Sequence, residues 1–162
     1  MATITKNLSQ YDKTLIPSAK LMTFGIVVAE WNNEITDELL KGAYSTLIEN
    51  GASKKNIIIK RVPGSFELPI GAQFMLEYSE VDAVICLGSV IQGDTKHFDF
   101  VCQATALGIK DVALSYNVPV IFGVLTDNTL QQAIDRSGGK HGNKGDEAAI
   151  TAIKMVQFQK EV

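Results

Sequence analysis

Asp82-Ala83-Val84-Ile85-Cys86-Leu87-Gly88-Ser89-Val90-Ile91-Gln92-Gly93-Asp94-Thr95-Lys96-His97 is the stretch that decides the fold. From Asp82 to Ile91 it is an almost unbroken apolar run, the pattern of a strand buried on both faces. A glycine turn follows, and Lys96 to Tyr116 then reads as a long helix. The same unit recurs on either side. Leu21 to Ala29 is a short apolar strand, after which Ile35, Leu39, Ala43, Leu47 and Ile48 recur at helical spacing up to the stop Asn50-Gly51. Asn56 to Val62 reads as a second strand, broken by Pro63-Gly64. Leu68 to Tyr78 is a helix with Pro69 tolerable in its first turn. Val118 to Thr126 is the fourth strand. Two helical segments, Asn128 to Ser137 and Asp146 to Lys160, finish the chain around the loop Gly138 to Gly145. Strands alternating with helices imply βαβ units, hence an α/β fold with a parallel four-stranded sheet between two helical layers. Residues 1–20 lack periodicity and read as an N-terminal arm. With no repeat, low-complexity tract or linker, residues 1–162 read as one domain.

The composition narrows the function. Of 162 residues 46% are hydrophobic, enough to bury a core without disulfide staples. Charge is 15 Lys+Arg against 18 Asp+Glu, a net −3, the wrong sign for a general nucleic-acid or anionic-membrane binder. Cys86 and Cys102 lie in apolar runs without CxxC spacing, so neither a redox pair nor a metal site is indicated. Met1 to Asn7 has no apolar signal-peptide core, and no apolar stretch reaches the ~18 residues of a membrane span. The expectation is a soluble cytoplasmic protein. The Lys96–Tyr116 helix carries Phe98, Phe100, Val101, Leu107, Ile109, Val112 and Leu114, so apolar residues occupy nearly every face. A helix of that kind needs burial all round, most easily against another subunit.

Ligands of open parallel sheets bind beyond the carboxyl ends of the strands. Trp31 follows strand one, either as a core aromatic or as a plate for a flat heterocycle. Arg61-Val62-Pro63-Gly64-Ser65-Phe66-Glu67 follows strand two. Its Glu67 either favours the start of a helix or accepts hydrogen bonds from the hydroxyls of a sugar-like ligand. After strand three, Gly88 to Thr95 has the glycine spacing of a P-loop with Asp94 in place of the lysine, which disfavours a nucleotide triphosphatase. A glycine turn ahead of a helix still presents free N–H groups to a phosphate, although a plain turn with Thr95 as helix cap fits the spacing equally. His97, one turn on, is either a surface histidine or a proton-transfer group, its ordinary pKa of ~6.5 suiting the latter. Arg136, Lys140 and Lys144 form a basic group that is either a solvated loop or a phosphate clamp. His141, in the glycine-rich loop, is given no role.

Taken together, Arg61 to Pro69, Gly88 to Asp99, Pro119 to Thr126 and Gly142-Asn143-Lys144-Gly145 closely resemble the lumazine synthase family, from about Phe24 to Met155. The resemblance implies a flavodoxin-like three-layer fold. It also implies condensation of 5-amino-6-(D-ribitylamino)uracil with 3,4-dihydroxy-2-butanone 4-phosphate to 6,7-dimethyl-8-ribityllumazine, releasing phosphate and water, the penultimate step of riboflavin biosynthesis. No metal or organic cofactor is implied. By the family's motifs Trp31 stacks on the pyrimidine, Ser65, Phe66 and Glu67 hold the ribityl chain, and Ser89, Val90 and Ile91 contact the ring through their backbone. Asp94 and Thr95 bind the phosphate with Arg136 and Lys144, His97 transfers protons, and Phe122 closes the pyrimidine pocket. Gln92 stands where many relatives have arginine. In the family this pocket lies between subunits of a pentamer. The short Gly138–Asn143 loop resembles that of members whose pentamers close into a 60-subunit icosahedral shell, with riboflavin synthase as a candidate partner. A non-catalytic relative binding a lumazine or flavin, and an unrelated sugar-phosphate-binding domain, are the alternatives.

Overall fold

The structure is a computed structural model that describes residues 7–162. Four parallel strands, β1 (Phe24–Ala29), β2 (Ile57–Val62), β3 (Ala83–Ile91) and β4 (Val120–Asp127), lie in the order β2-β1-β3-β4. Strand β3 is buried from Ala83 to Ser89 because it is central and covered on both faces. Helices α1 (Asn33–Glu49) and α5 (Lys144–Glu161) cover one face, and α2 (Leu68–Tyr78) and α3 (His97–Tyr116) the other. The short helix α4 (Leu130–Arg136) follows β4.

Alternation along the strands sorts the core into two layers. Ile26, Val28, Ile85 and Leu87 face α1 and α5, where they meet Leu39, Leu47 and Ile153. Val27, Val84 and Cys86 face the other way, onto Leu68, Ala72 and Ile109. Each fully buried Leu or Ile contributes about 1.5–3 kcal/mol of transfer free energy, so the sheet is held from both sides. Pro69 stands in the first turn of α2, and α1 stops at Asn50, with Gly51 at φ +100°.

Three expectations need correction. Strand β1 begins at Phe24 rather than Leu21, since Leu21 is exposed and Met22 N–H turns back onto the carbonyl of Ala19. The loop after α4 is an antiparallel hairpin, β5 (Ser137–Gly139) with β6 (Gly142–Asn143). Helix α5 starts at Lys144 rather than Asp146, because the Asn143 side chain accepts the Gly145 N–H at 2.8 Å and caps it. The arm, whose first six residues lie outside the described ones, crosses this hairpin: Leu8 N–H donates to the His141 carbonyl, and Ser9 Oγ accepts from Asn143 N–H.

Helix α3 is not buried all round within one chain. Thr105, Ile109 and Val112 face the core, while Phe100 and Leu114 are 70% and 72% exposed. Phe74 and Tyr78 of α2 are exposed as well. No helix among the described residues is long and apolar enough to cross a membrane.

Candidate active site

A cavity of about 910 Å³ opens at the carboxyl ends of the strands, in the size range of small-molecule sites. Its wall after β1 is Trp31 and Asn32. Trp31 N–H donates to the Pro63 carbonyl at 3.0 Å, as Glu30 N–H does to that of Val62, tying the ends of β1 and β2. Trp31 is 72% exposed, so it is a surface aromatic and not a core one. Asn32 adopts the left-handed conformation (φ 59°), which asparagine tolerates better than most residues. Its Nδ2 donates to the Ser89 carbonyl at 2.9 Å and ties the Trp31 turn to β3.

The second wall is the single 3-10 turn Ser65–Glu67, which feeds directly into α2. Thr105 of α3 donates through its hydroxyl to the Ser65 carbonyl at 3.1 Å, anchoring the turn. Phe66 is exposed and Glu67 half-buried, and both line the cavity. The Glu67 carboxylate makes no capping bond at the start of α2. It is free to accept hydrogen bonds from a ligand.

The floor and third wall are Ser89, Val90 and Ile91, followed by Gly93 and Thr95. Among the described residues the N–H groups of Gly93, Asp94, Thr95 and Lys96 have no hydrogen-bond partner. They stand at the start of a 20-residue helix, the arrangement that favours an anion. Thr95 Oγ accepts the His97 N–H at 3.3 Å, so its own hydroxyl proton points elsewhere. Helix support and an open donor are thus compatible at Thr95. His97 is exposed at the first position of α3 and lines the cavity with Phe98 and Val101.

One chain therefore brings together Trp31, Ser65, Phe66, Glu67, Ser89, Val90, Ile91, Thr95 and His97. Asp94 lies in the same turn but outside the lining. Phe122, Arg136 and Lys144 do not line this cavity. Phe122 sits mid-strand in β4, opposite Cys86, half-buried against the α2–α3 layer. Arg136 Nη1 lies 3.6 Å from Asp127 Oδ1, and Lys144 Nζ donates to Glu147 at 2.7 Å. Arg136 and Lys144 thus each face a carboxylate of their own.

Sequence reasoning passed over Asn32 beside Trp31, although an asparagine directly after a strand is a known turn signal. It passed over Phe98, Val101 and Leu130, ordinary apolar residues with no signal of their own. Asp127 stands in the stretch Thr126-Asp127-Asn128 that follows strand four, to which the sequence assigns no role; it is a carboxylate 2% exposed at the end of β4. Burial pushes that carboxyl above the usual range, and the Arg136 guanidinium draws it part of the way back.

Comparison with known proteins points the same way as the cavity. The model of the 6,7-dimethyl-8-ribityllumazine synthase family matches residues 21–160. The chain is 57% identical over 158 residues to the 6,7-dimethyl-8-ribityllumazine synthase of Parabacteroides distasonis, covering 98% of this chain and 99% of that protein. It is 58% identical over 162 residues to the enzyme of the same name from Christiangramia forsetii, covering 99% and 96%. With the Flavobacterium johnsoniae enzyme the figures are 58% over 161 residues, 99% and 85%. Matches of this extent and identity mean that the chain belongs to the 6,7-dimethyl-8-ribityllumazine synthase family.

Proposed function

We propose that the chain condenses 5-amino-6-(D-ribitylamino)uracil with 3,4-dihydroxy-2-butanone 4-phosphate to 6,7-dimethyl-8-ribityllumazine, with loss of phosphate and water. The observation that carries this is the convergence of an exposed indole, a free carboxylate, an open helix start and an imidazole on one cavity. Trp31 stacks on the pyrimidine, and Ser65, Phe66 and Glu67 take the ribityl chain. The backbone of Ser89, Val90 and Ile91 reads the ring edge. The N–H groups of Asp94 and Thr95, with the Thr95 hydroxyl, receive the phosphate.

The chemistry asks for proton movement and an anion site. The amine attacks the ketone and loses water to give an imine, phosphate then leaves by elimination, and the ribitylamino nitrogen closes the ring on the resulting carbonyl with loss of a second water. His97 carries protons between these steps, a contribution of ~10²–10⁴-fold when a side chain is well placed. Holding two substrates side by side supplies more, since effective molarities reach ~10⁵–10⁸ M.

Phe122, Arg136 and Lys144 belong to this reading as residues that one chain supplies to a neighbouring copy. What supports that is the apolar surface left open on α2 and α3, including Phe74, Tyr78, Phe100, Leu107 and Leu114. An assembly built on rings of five, closed into a shell, buries such faces; a free pentamer buries the faces within the ring alone. The deciding experiment is to mix the two substrates with the purified protein and follow lumazine absorbance and released phosphate. Both should appear in equal amounts. Binding of lumazine or flavin without turnover would make the protein a carrier instead.

A further inference from the structure

The proposed chemistry makes no use of Asp127, yet its position is costly. It ends β4, paired in register with Ile91, and its carbonyl accepts the Gln92 N–H at 2.9 Å. Its backbone is thereby fixed beside the turn that opens onto the cavity. Its side chain is 2% exposed, and Oδ2 has no hydrogen-bond partner among the described residues. Two residues earlier on the same face of β4, Leu125 packs into the apolar layer. An apolar side chain at 127 would continue that layer without burying a charge.

What the carboxylate does face is Arg136, whose Nη1 lies 3.6 Å from Oδ1 while 38% of the arginine side chain stays exposed. Arg136 closes the short helix α4, whose first turn is held by Thr129 Oγ on the Gln132 N–H and by Gln132 Oε1 on the Asn128 N–H. At 3.6 Å the ion pair is longer than a hydrogen bond, so the guanidinium keeps its N–H donors for another acceptor.

We propose that Asp127 is a positioning residue that tethers the Arg136 guanidinium at the carboxyl edge of the sheet, holding its outward donors ready for the substrate phosphate. The inference rests on the reading of Arg136 as a phosphate ligand. Asp127 itself touches no substrate. Two effects oppose each other: the carboxylate offsets part of the positive charge the phosphate meets, and it holds a long side chain in one orientation. The proposal takes orientation as the larger effect, and the sign of the change in KM decides between them.

The test is steady-state kinetics on the assembled enzyme, varying each substrate in turn, with Asp127→Asn, Arg136→Ala and the double variant. Asp127→Asn should raise KM for the butanone phosphate about tenfold, and kcat and KM for the pyrimidine should stay within about twofold. In the Arg136→Ala background it should add nothing. Asp127→Thr, smaller and uncharged, should behave alike and serves if the asparagine variant folds poorly. An unchanged or lower phosphate-substrate KM, an equal rise for both substrates, or a full additional effect without Arg136 would each overturn the proposal. If Arg136→Ala itself leaves that KM unchanged, the reading of Arg136 fails and takes the inference with it. If Arg136→Ala raises it and Asp127→Asn does not, the inference alone fails.

Discussion

Replacing Gly88 by alanine puts one methyl group between β3 and the turn that carries Ser65, Phe66 and Glu67. A Cβ built there lies 2.6 Å from Ser65 Oγ and 2.9 Å from Leu68 Cδ1, where ordinary contact begins at 3.4 Å. The serine oxygen must therefore retreat by about 0.8 Å and the leucine methyl by about 0.5 Å. The two neighbours differ in how freely they can move. Leu68 is fully buried, and the Ser65 backbone is held by Thr105 at 3.1 Å. Rotation of the Ser65 hydroxyl relieves the first clash, since Ser65 Cβ is already at 3.4 Å, but Leu68 has to shift. Overpacking of this kind costs about 1–3 kcal/mol, and with the rotation available the lower half of that range applies. For a chain of this length the melting temperature should fall by about 2–8 °C. The rotated hydroxyl belongs to the proposed ribityl site, so KM for the pyrimidine should rise more than KM for the butanone phosphate. Thermal melts and two-substrate kinetics on the same preparation read both effects. Gly93→Ala is the control, because a Cβ there meets nothing within 4 Å and the backbone is not left-handed. Its melting temperature should stay within about 2 °C of the parent. A Gly88→Ala protein that melts and binds like the parent, or a Gly93→Ala protein that is destabilised as much, would refute the argument.

His97→Ala should slow turnover by ~10²–10⁴-fold without abolishing it, because the two substrates are still held together; total loss in a folded variant would give His97 a larger part than proton transfer. Light scattering at micromolar concentration should report an assembly of at least five chains, and a monomer or dimer would sink the site shared between copies. Burial raises the Asp127 carboxyl above its usual 3.8, so its stabilising effect is complete below that value and is lost as pH rises through the folded-state value. Asp127→Asn should therefore gain in melting temperature on the parent as pH rises from 3.8, and a variant that loses ground over that rise would mean the Arg136 ion pair outweighs burial.

How far the fold could be read in advance depended on how each element is buried. Strands β1, β3 and β4 are covered on both faces, so they survive in the chain as apolar runs and were placed to within about three residues. The Gly138–Gly145 segment was harder. Strands of three and two residues have no period to detect, and the hairpin is made by left-handed glycines at 138 and 142 together with the arm across it. Asn143 carried a legible signal, a capping residue directly before the helix, which the reading from Asp146 passed over.

The candidate site divides along a physical line. Positions next to a strand end, such as Ser65, Glu67, Thr95 and His97, are marked out by topology, because ligands of open parallel sheets bind beyond the strands' carboxyl ends, while their roles come from the family's motifs. Phe122, Arg136 and Lys144 came from likeness of motif, and within one chain they sit on β4, α4 and α5, each with its own neighbour. No rule of spacing within a single chain could bring them to the cavity. On the proposed reading, another copy completes the site with these three residues. The same condition accounts for α3, whose apolar residues are too many for the one face that its own sheet can cover. On that reading one and the same neighbour would cover the exposed apolar residues of α3 and receive Phe122, Arg136 and Lys144.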